Sequence, residues 1–313
     1  MIPFVWAVLG HNGVVHKPGE SSAIGISSAF VDGCGNSDCY TIYNYGQNYV
    51  KLVQDGVVTE LDWPKEYLPV AASVVGHNTV LASVDDDTRI KFVLVYPNGN
   101  EIELTEPDGC PDPEHMVKFI DALEDGKPTV LDLKDGAVYV VNIETPRCEK
   151  KVTFPGTLVG KPLMFDGATV YGYAETDAAQ CWFYGLEAAG AVIECYNPTT
   201  DVKLFKSAPL NDGHADPTNI HTGGDIFFDG SCLYAVNGET NPGSLRDTQV
   251  QFEDHLCGKL LKWCNVESED AILSIVGVGL RHPWTSVGLS RHRRLIADVG
   301  QETSEEVSMV SLN

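Results

Sequence analysis

The sequence predicts an all-β protein, and a single six-bladed β-propeller is the architecture that fits it best. Three observations lead there. Short apolar runs rich in Val, Ile, Tyr and Phe alternate with turn dipeptides through the chain. A turn–strand unit recurs. The length, 313 residues, matches roughly six blades at about 40–50 residues per four-stranded blade. A pair of β-sandwiches is the alternative. No Pro/Ser-rich linker or low-complexity tract divides the chain, so residues 1–313 are expected to form one domain.

From the N-terminus, Ile2–Gly10 is apolar but short. It lacks a basic stretch before it and a small-residue cleavage site, so it reads as a strand rather than a signal peptide. Residues 51–63 (KLVQDGVVTELDW) read as two strands around Asp55-Gly56. Residues 92–104 read as a hairpin around Asn98-Gly99. Both dipeptides suit the positive φ of tight hairpin turns. One helix is expected, a short insertion near 113–124. Asp112 would cap it, Pro113-Glu114 would open it, and Met116, Phe119, Ile120 and Leu123 recur at helical spacing before Gly126.

The recurring unit is LKDGAVY at 133–139, FDGATVY at 165–171 and FDGSCLY at 228–234. Its Asp-Gly pairs start at 135, 166 and 229, close to one and two steps of one period. Such recurrence points to radial or stacked β repetition.

Charge limits the partners. With 44 acidic and 21 basic side chains the net charge is −23, which repels phosphate backbones and anionic lipid. Nucleic acid is therefore not an expected partner. The one basic run, Arg291-His292-Arg293-Arg294, reads as a solvated turn. No apolar run reaches the roughly 18 residues of a membrane helix, so membrane insertion is not expected either. The nine cysteines form no CxxC and no zinc-finger spacing. Cys34 and Cys39 are placed to close a small loop, and several of the others are expected as buried free thiols. The redox compartment stays open on this count, and no N-x-[ST] sequon supports a glycosylated route.

The last third carries the chemistry. His221 precedes Gly223-Gly224, and glycines leave room beside an imidazole for a ligand. Glu239 follows eighteen residues later, at the end of a strand that can run alongside. A carboxylate on one ring nitrogen raises the basicity of the other, as a general base requires. Arg281 sits in a glycine-led loop before His282-Pro283, suited to gripping an anion. Glu305 and Glu306 follow the Gly300-Gln301 turn and offer hard oxygens for Ca²⁺.

In order, these segments are His221-Thr-Gly-Gly-Asp225, then Gly238-Glu239, Cys257-Gly-Lys-Leu-Leu261, Gly279-Leu-Arg-His-Pro-Trp284, and Asp298-Val-Gly-Gln301 with Glu305-Glu306-Val307. The set resembles the glucose/sorbosone dehydrogenase family. That family comprises six-bladed propellers, among them the pyrroloquinoline quinone (PQQ)-dependent soluble aldose dehydrogenases and the propeller of the hedgehog-interacting proteins. The resemblance covers about residues 217–310. It implies family-like blades over 211–313 and blades of divergent sequence over 1–210. It also implies that His221 takes the proton of a sugar C1 hydroxyl and that Glu239, standing where the family usually has Asp, orients it. By the same resemblance Arg281 binds the quinone, with His282 beside it in place of the usual Asn. Gly300 and Gln301 match the backbone ligands of the Ca²⁺ that contacts the quinone, and Glu306 matches an acidic residue of a structural calcium. The implied cofactors are Ca²⁺ and PQQ, and the implied partner is a sugar. Two other functions stay open: a non-catalytic propeller that binds carbohydrate or protein, and a calcium-dependent lactonase-like hydrolase. The expected location is extracellular, periplasmic or on a particle surface, without a clear signal peptide.

Overall fold

The computed structural model describes residues 9–10, 14–15, 24–25, 30–33, 39–44, 49–54, 57–63, 68–74, 80–85, 90–95, 101–104, 108–112, 115, 117–124, 127–156, 170–186, 190–210, 224–238, 256–268, 270–290, 292–298 and 306–312. Everything regular in them is β. A small sheet holds β1 (Leu9–Gly10), β2 (Val14–Val15) and β3 (Ile24–Gly25). Five four-stranded sheets follow in chain order. The first is β4 (Phe30–Gly33), β5 (Cys39–Asn44), β6 (Tyr49–Gln54) and β7 (Val57–Glu60). The second is β8 (Leu68–Val74), β9 (Val80–Asp85), β10 (Ile90–Val95) and β11 (Glu101–Leu104). The third is β12 (Val117–Ile120), β13 (Thr129–Asp132), β14 (Ala137–Asn142) and β15 (Arg147–Thr153). The fourth is β16 (Val170–Glu175), β17 (Gln180–Leu186), β18 (Gly190–Tyr196) and β19 (Lys203–Lys206). The fifth is β20 (Gly224–Asp229), β21 (Cys232–Asn237), β22 (Lys259–Cys264) and β23 (Ile272–Val278). A three-stranded sheet ends the chain: β24 (Pro283–Ser290), β25 (Arg293–Asp298) and β26 (Glu306–Ser311).

Each sheet is an up-and-down meander whose neighbours in sequence pair in space, which is the propeller arrangement. The four-stranded unit recurs five times among the described residues. By contacts the chain forms two compact units. One is Met1–Phe4, Leu133–Gly136 and Phe154–Trp284; the other is Val5–Asp132, Ala137–Thr153 and Thr285–Asn313. Within the second, β4 meets both β8 and β25, and β8 meets β12, so successive sheets adjoin. Within the first, β16 packs on β20 at Gly172, where an added Cβ would lie 2.9 Å from the Ile226 amide nitrogen. Phe205 of β19 and Trp263 of β22 join the same two sheets, ring centroids 6.2 Å apart. On the other face of the fourth sheet, Phe154 meets Trp182 edge-on, and Trp182 lies against Tyr173.

The hairpins around Asp55-Gly56 and Asn98-Gly99 form, joining β6 to β7 and β10 to β11. The expected helix does not. Val117–Ile120 is a strand paired with β13, and all four of its side chains are buried. Both faces of this strand are covered, Lys118 included, so its residues show no alternation. Periodicity alone cannot tell such a run from a buried helix. Pro113, Glu114 and Met116 lie outside the described residues.

The Asp-Gly repeat is not a blade repeat. Asp135-Gly136 precedes the third strand of its sheet, and Asp229-Gly230 precedes the second strand of its own. FDGATVY runs into β16, the first strand of its sheet. What recurs is turn chemistry: Gly136 and Gly230 have φ of 62° and 60°, where glycine avoids the Cβ clash.

Two further expectations are corrected. Cys110–Cys148, Cys181–Cys195 and Cys232–Cys264 are disulfides, so Cys257 is the one free thiol among the described cysteines. Two of these bridges join directly opposed residues on the middle strands of the fourth and fifth sheets. Pairing required strand register, which the sequence spacing does not display. Arg294 is not part of a solvated turn. It is buried in β25, with Nη1 2.8 Å from Asp121 Oδ2 and Nε donating to Ser286 Oγ at 2.8 Å. No described helix is long and apolar enough to cross a membrane.

Candidate functional site

The fifth sheet aligns four strand-end residues at one of its ends. Gly224 opens β20 and pairs with Asn237, which closes β21. Asn237 pairs with Lys259, which opens β22, and Lys259 pairs with Val278, which closes β23. Antiparallel pairing puts these four on one row and one face. Beyond the row the backbone continues the ladder. Gly258 N donates to Gly238 O at 3.0 Å, and Gly279 N donates to Gly258 O at 3.0 Å. Gly258 and Gly279 have φ of 65° and 93°, left-handed values that let the chain turn out of the sheet. Gly224 is also obligatory. Its φ is 151°, and an added Cβ would lie 1.9 Å from the Val236 carbonyl oxygen.

His221 and Glu239 lie outside the described residues, as do Gly300 and Gln301. The strand ends that flank the first two, Gly224 and Asn237, are register partners. Arg281 and His282 leave the same sheet end two and three residues after Gly279. Both are half-buried, and His282 meets Trp284 edge-on at 5.9 Å between centroids. Glu306 begins β26, its backbone in register with Asp298. Asp298 is itself buried.

Two residues at this end had no role in the sequence reading. Lys259 is completely buried, with Nζ donating to Cys257 O at 2.9 Å. Its signal was a lysine inside the apolar run Leu256–Trp263. Asn237 is equally buried, and its Nδ2 donates to the Leu210 and Leu256 carbonyls, each at 2.9 Å. Nothing local distinguishes it from a turn asparagine. The row thus holds a buried ammonium and a fixed carboxamide, and a guanidinium follows two residues past the Gly279 turn. Such a set suits an anionic or polyhydroxylated ligand better than a cation.

Elsewhere two buried acid networks stand out. In β18, Glu194 accepts hydrogen bonds from Lys206 at 2.8 Å, Lys203 at 2.9 Å and the Tyr196 hydroxyl. Burial alone would raise the Glu194 carboxyl, but Lys206, Tyr196 and Lys203 overcome it and hold the pKa at about 2. Burial first, then Glu194, pushes the Tyr196 hydroxyl well above the usual phenol range. In the third sheet, His115 Nδ1 lies 2.9 Å from Asp132 Oδ2, and both groups are buried.

Several solved structures share this architecture. The PQQ-bound aldose sugar dehydrogenase of Streptomyces coelicolor matches with a TM-score of 0.52 at 10% identity, over 88% of this chain and 93% of that one. Regucalcin, a calcium-binding protein of Agrobacterium tumefaciens, matches with 0.53 at 11%, over 99% and 95%. A luciferin-regenerating enzyme matches with 0.52 at 9%, over 91% and 92%. The fold is that of the β-propellers. At these identities the likeness is one of fold, which does not fix function. No family model matches the chain, and no curated protein matches it.

Proposed function

We propose that this β-propeller is a sugar dehydrogenase of the PQQ-dependent aldose type, with an altered set of cofactor ligands. The observation that carries the reading is the row Gly224–Asn237–Lys259–Val278, because it draws the segments flanking His221, Glu239 and Arg281 to one sheet end. The ordered motifs support it, as does the fold shared with an aldose sugar dehydrogenase.

The fit to an anionic quinone is one of kind more than of number. The described residues at this end supply one guanidinium, one buried ammonium and one imidazole. Lys259 is committed to a backbone carbonyl and acts through its field rather than by contact. PQQ, when bound, supplies the hydride acceptor. The protein's part is then to place acid, base and charge. By the resemblance, Arg281 and His282 would bind the quinone, the Gly300 and Gln301 carbonyls would hold one Ca²⁺, and Glu306 would serve a separate structural calcium. His221 would take the proton of the C1 hydroxyl, with Glu239 holding its tautomer. The three disulfides suit an oxidising compartment, hence an extracellular, periplasmic or particle-surface location.

The test is direct. Protein supplied with Ca²⁺ and PQQ is expected to take up the quinone by calorimetry and to reduce a dye with glucose. His221→Ala is expected to keep the uptake and lose the reduction. No uptake removes the enzyme reading. It would leave the second one, a non-catalytic propeller that binds carbohydrate or protein, which the net charge of −23 favours because that field opposes a trianion.

A further inference from the structure

We infer that Asn237 is a positioning residue whose carboxamide fixes the bases of the two segments carrying His221 and Glu239. The inference deepens the proposed function, and only its activity arm depends on that reading.

Four described residues bound those two segments. Leu210 precedes residues 211–223 and Gly224 follows them; Gly238 precedes residues 239–255 and Leu256 follows them. All four converge on Asn237. Its Nδ2 donates to Leu210 O and Leu256 O, across 27 and 19 residues of sequence. Its backbone is in register with Gly224, and Gly238 is its chain neighbour. The anchor points are rigid in turn. Leu210 is fully buried, and its amide donates to Ala191 O at 2.8 Å. On the other side, Gly258 N donates to Gly238 O.

The chemistry calls for this side chain. Two carbonyl acceptors must be met by two N–H groups on a short, uncharged stem, which a carboxamide provides. Because both partners are acceptors, the amide orientation is fixed by the network. The opposite oxygen, Oδ1, is buried and has no hydrogen-bond partner among the described residues. A buried acceptor without a donor is unfavourable. The two donated bonds are what offset it. The carboxamide therefore serves position rather than bulk stability.

Asn237→Leu tests this, since leucine keeps the volume and removes both the donated bonds and the stranded acceptor. Hydrogen exchange of the whole protein is the first readout. Loss of two net hydrogen bonds is expected to speed exchange about tenfold or more in peptides covering Leu256–Gly258 and residues 207–210. Peptides of β17 should keep wild-type rates. Asn237→Asp, which turns acceptors toward both carbonyls, should reproduce the local gain. Unchanged rates at Leu210 and Leu256, or equal acceleration in every sheet, would overturn the inference. The second readout is dye reduction with glucose by protein supplied with Ca²⁺ and PQQ. The expected result is a kcat lowered about tenfold by Asn237→Leu with quinone uptake kept, because the two segments carry His221 and Glu239 rather than Arg281. A wild-type kcat in Asn237→Leu would overturn it. If the wild type takes up no quinone, the dehydrogenase reading falls, and the exchange pattern decides the role of Asn237 by itself.

Discussion

The ion pair between Arg294 and Asp121 makes the sharpest stability prediction. It spans 173 residues, tying β25 to the end of β12. The two partners differ in environment. The Arg294 side chain is 5% exposed and the Asp121 side chain 52%. An exposed pair contributes about 0–1 kcal/mol, whereas breaking a fully buried pair costs roughly 3–5 kcal/mol because one charge is left alone. Asp121→Ala removes the carboxylate that faces the buried guanidinium, while its Nε and Nη2 keep their bonds to Ser286, so the expected loss is about 2 kcal/mol, between those limits. Asp121→Asn keeps an oxygen acceptor and should lose about 1 kcal/mol. Arg294→Met removes the charge with the bond, and should cost less than Asp121→Ala. The assay is urea unfolding with the disulfides intact, compared at constant slope. Loss of less than about 0.5 kcal/mol in Asp121→Ala would place the pair among ordinary surface contacts and refute the reasoning. So would a greater loss in Arg294→Met.

Two further predictions concern the fourth and fifth sheets. Glu194 is depressed in the folded state to about 2, so its contribution is present above the unfolded carboxylate pKa and is lost as pH falls from about 4.5 toward 2. Glu194→Gln should flatten that part of the acid-stability curve, and an unchanged slope would remove the assignment. For the disulfides, loops of 14 residues at Cys181–Cys195 and 32 at Cys232–Cys264 predict losses of roughly 3 and 4 kcal/mol for the paired Ala variants. Mass-tagging under mild reductant should label Cys232 and Cys264 before Cys181 and Cys195, because the former pair is half-exposed and the latter fully buried. Equal labelling would count against that ordering.

The fold class was legible because its signals are local. Asp55-Gly56 lies in sequence between the paired strands β6 and β7, and Asn98-Gly99 between β10 and β11, and β-rich runs separated by such dipeptides permit little else. The segment around Val117–Ile120 misled because burial on both faces erases the alternation that marks a strand. The Asp-Gly repeat misled in another way: Gly136 and Gly230 take positive φ in turns at different places in their sheets, so the dipeptide marks a turn and not a blade.

At the candidate site, the glycines, Arg281 and His282 could be picked out by composition. Lys259 and Asn237 could not be, since a lysine in an apolar run and an asparagine before glycine acquire meaning only through the register that aligns them. The cysteines show the same divide. Their number was plain, but the partner of Cys232 is set by the strand that lies opposite it. The chain alone therefore determined the type of element, through steric and hydrophobic rules that act over a few residues. Which side chains meet, from Arg294 with Asp121 to Asn237 with two distant carbonyls, was decided only by long-range pairing, because contact across many residues leaves no pattern in neighbouring ones.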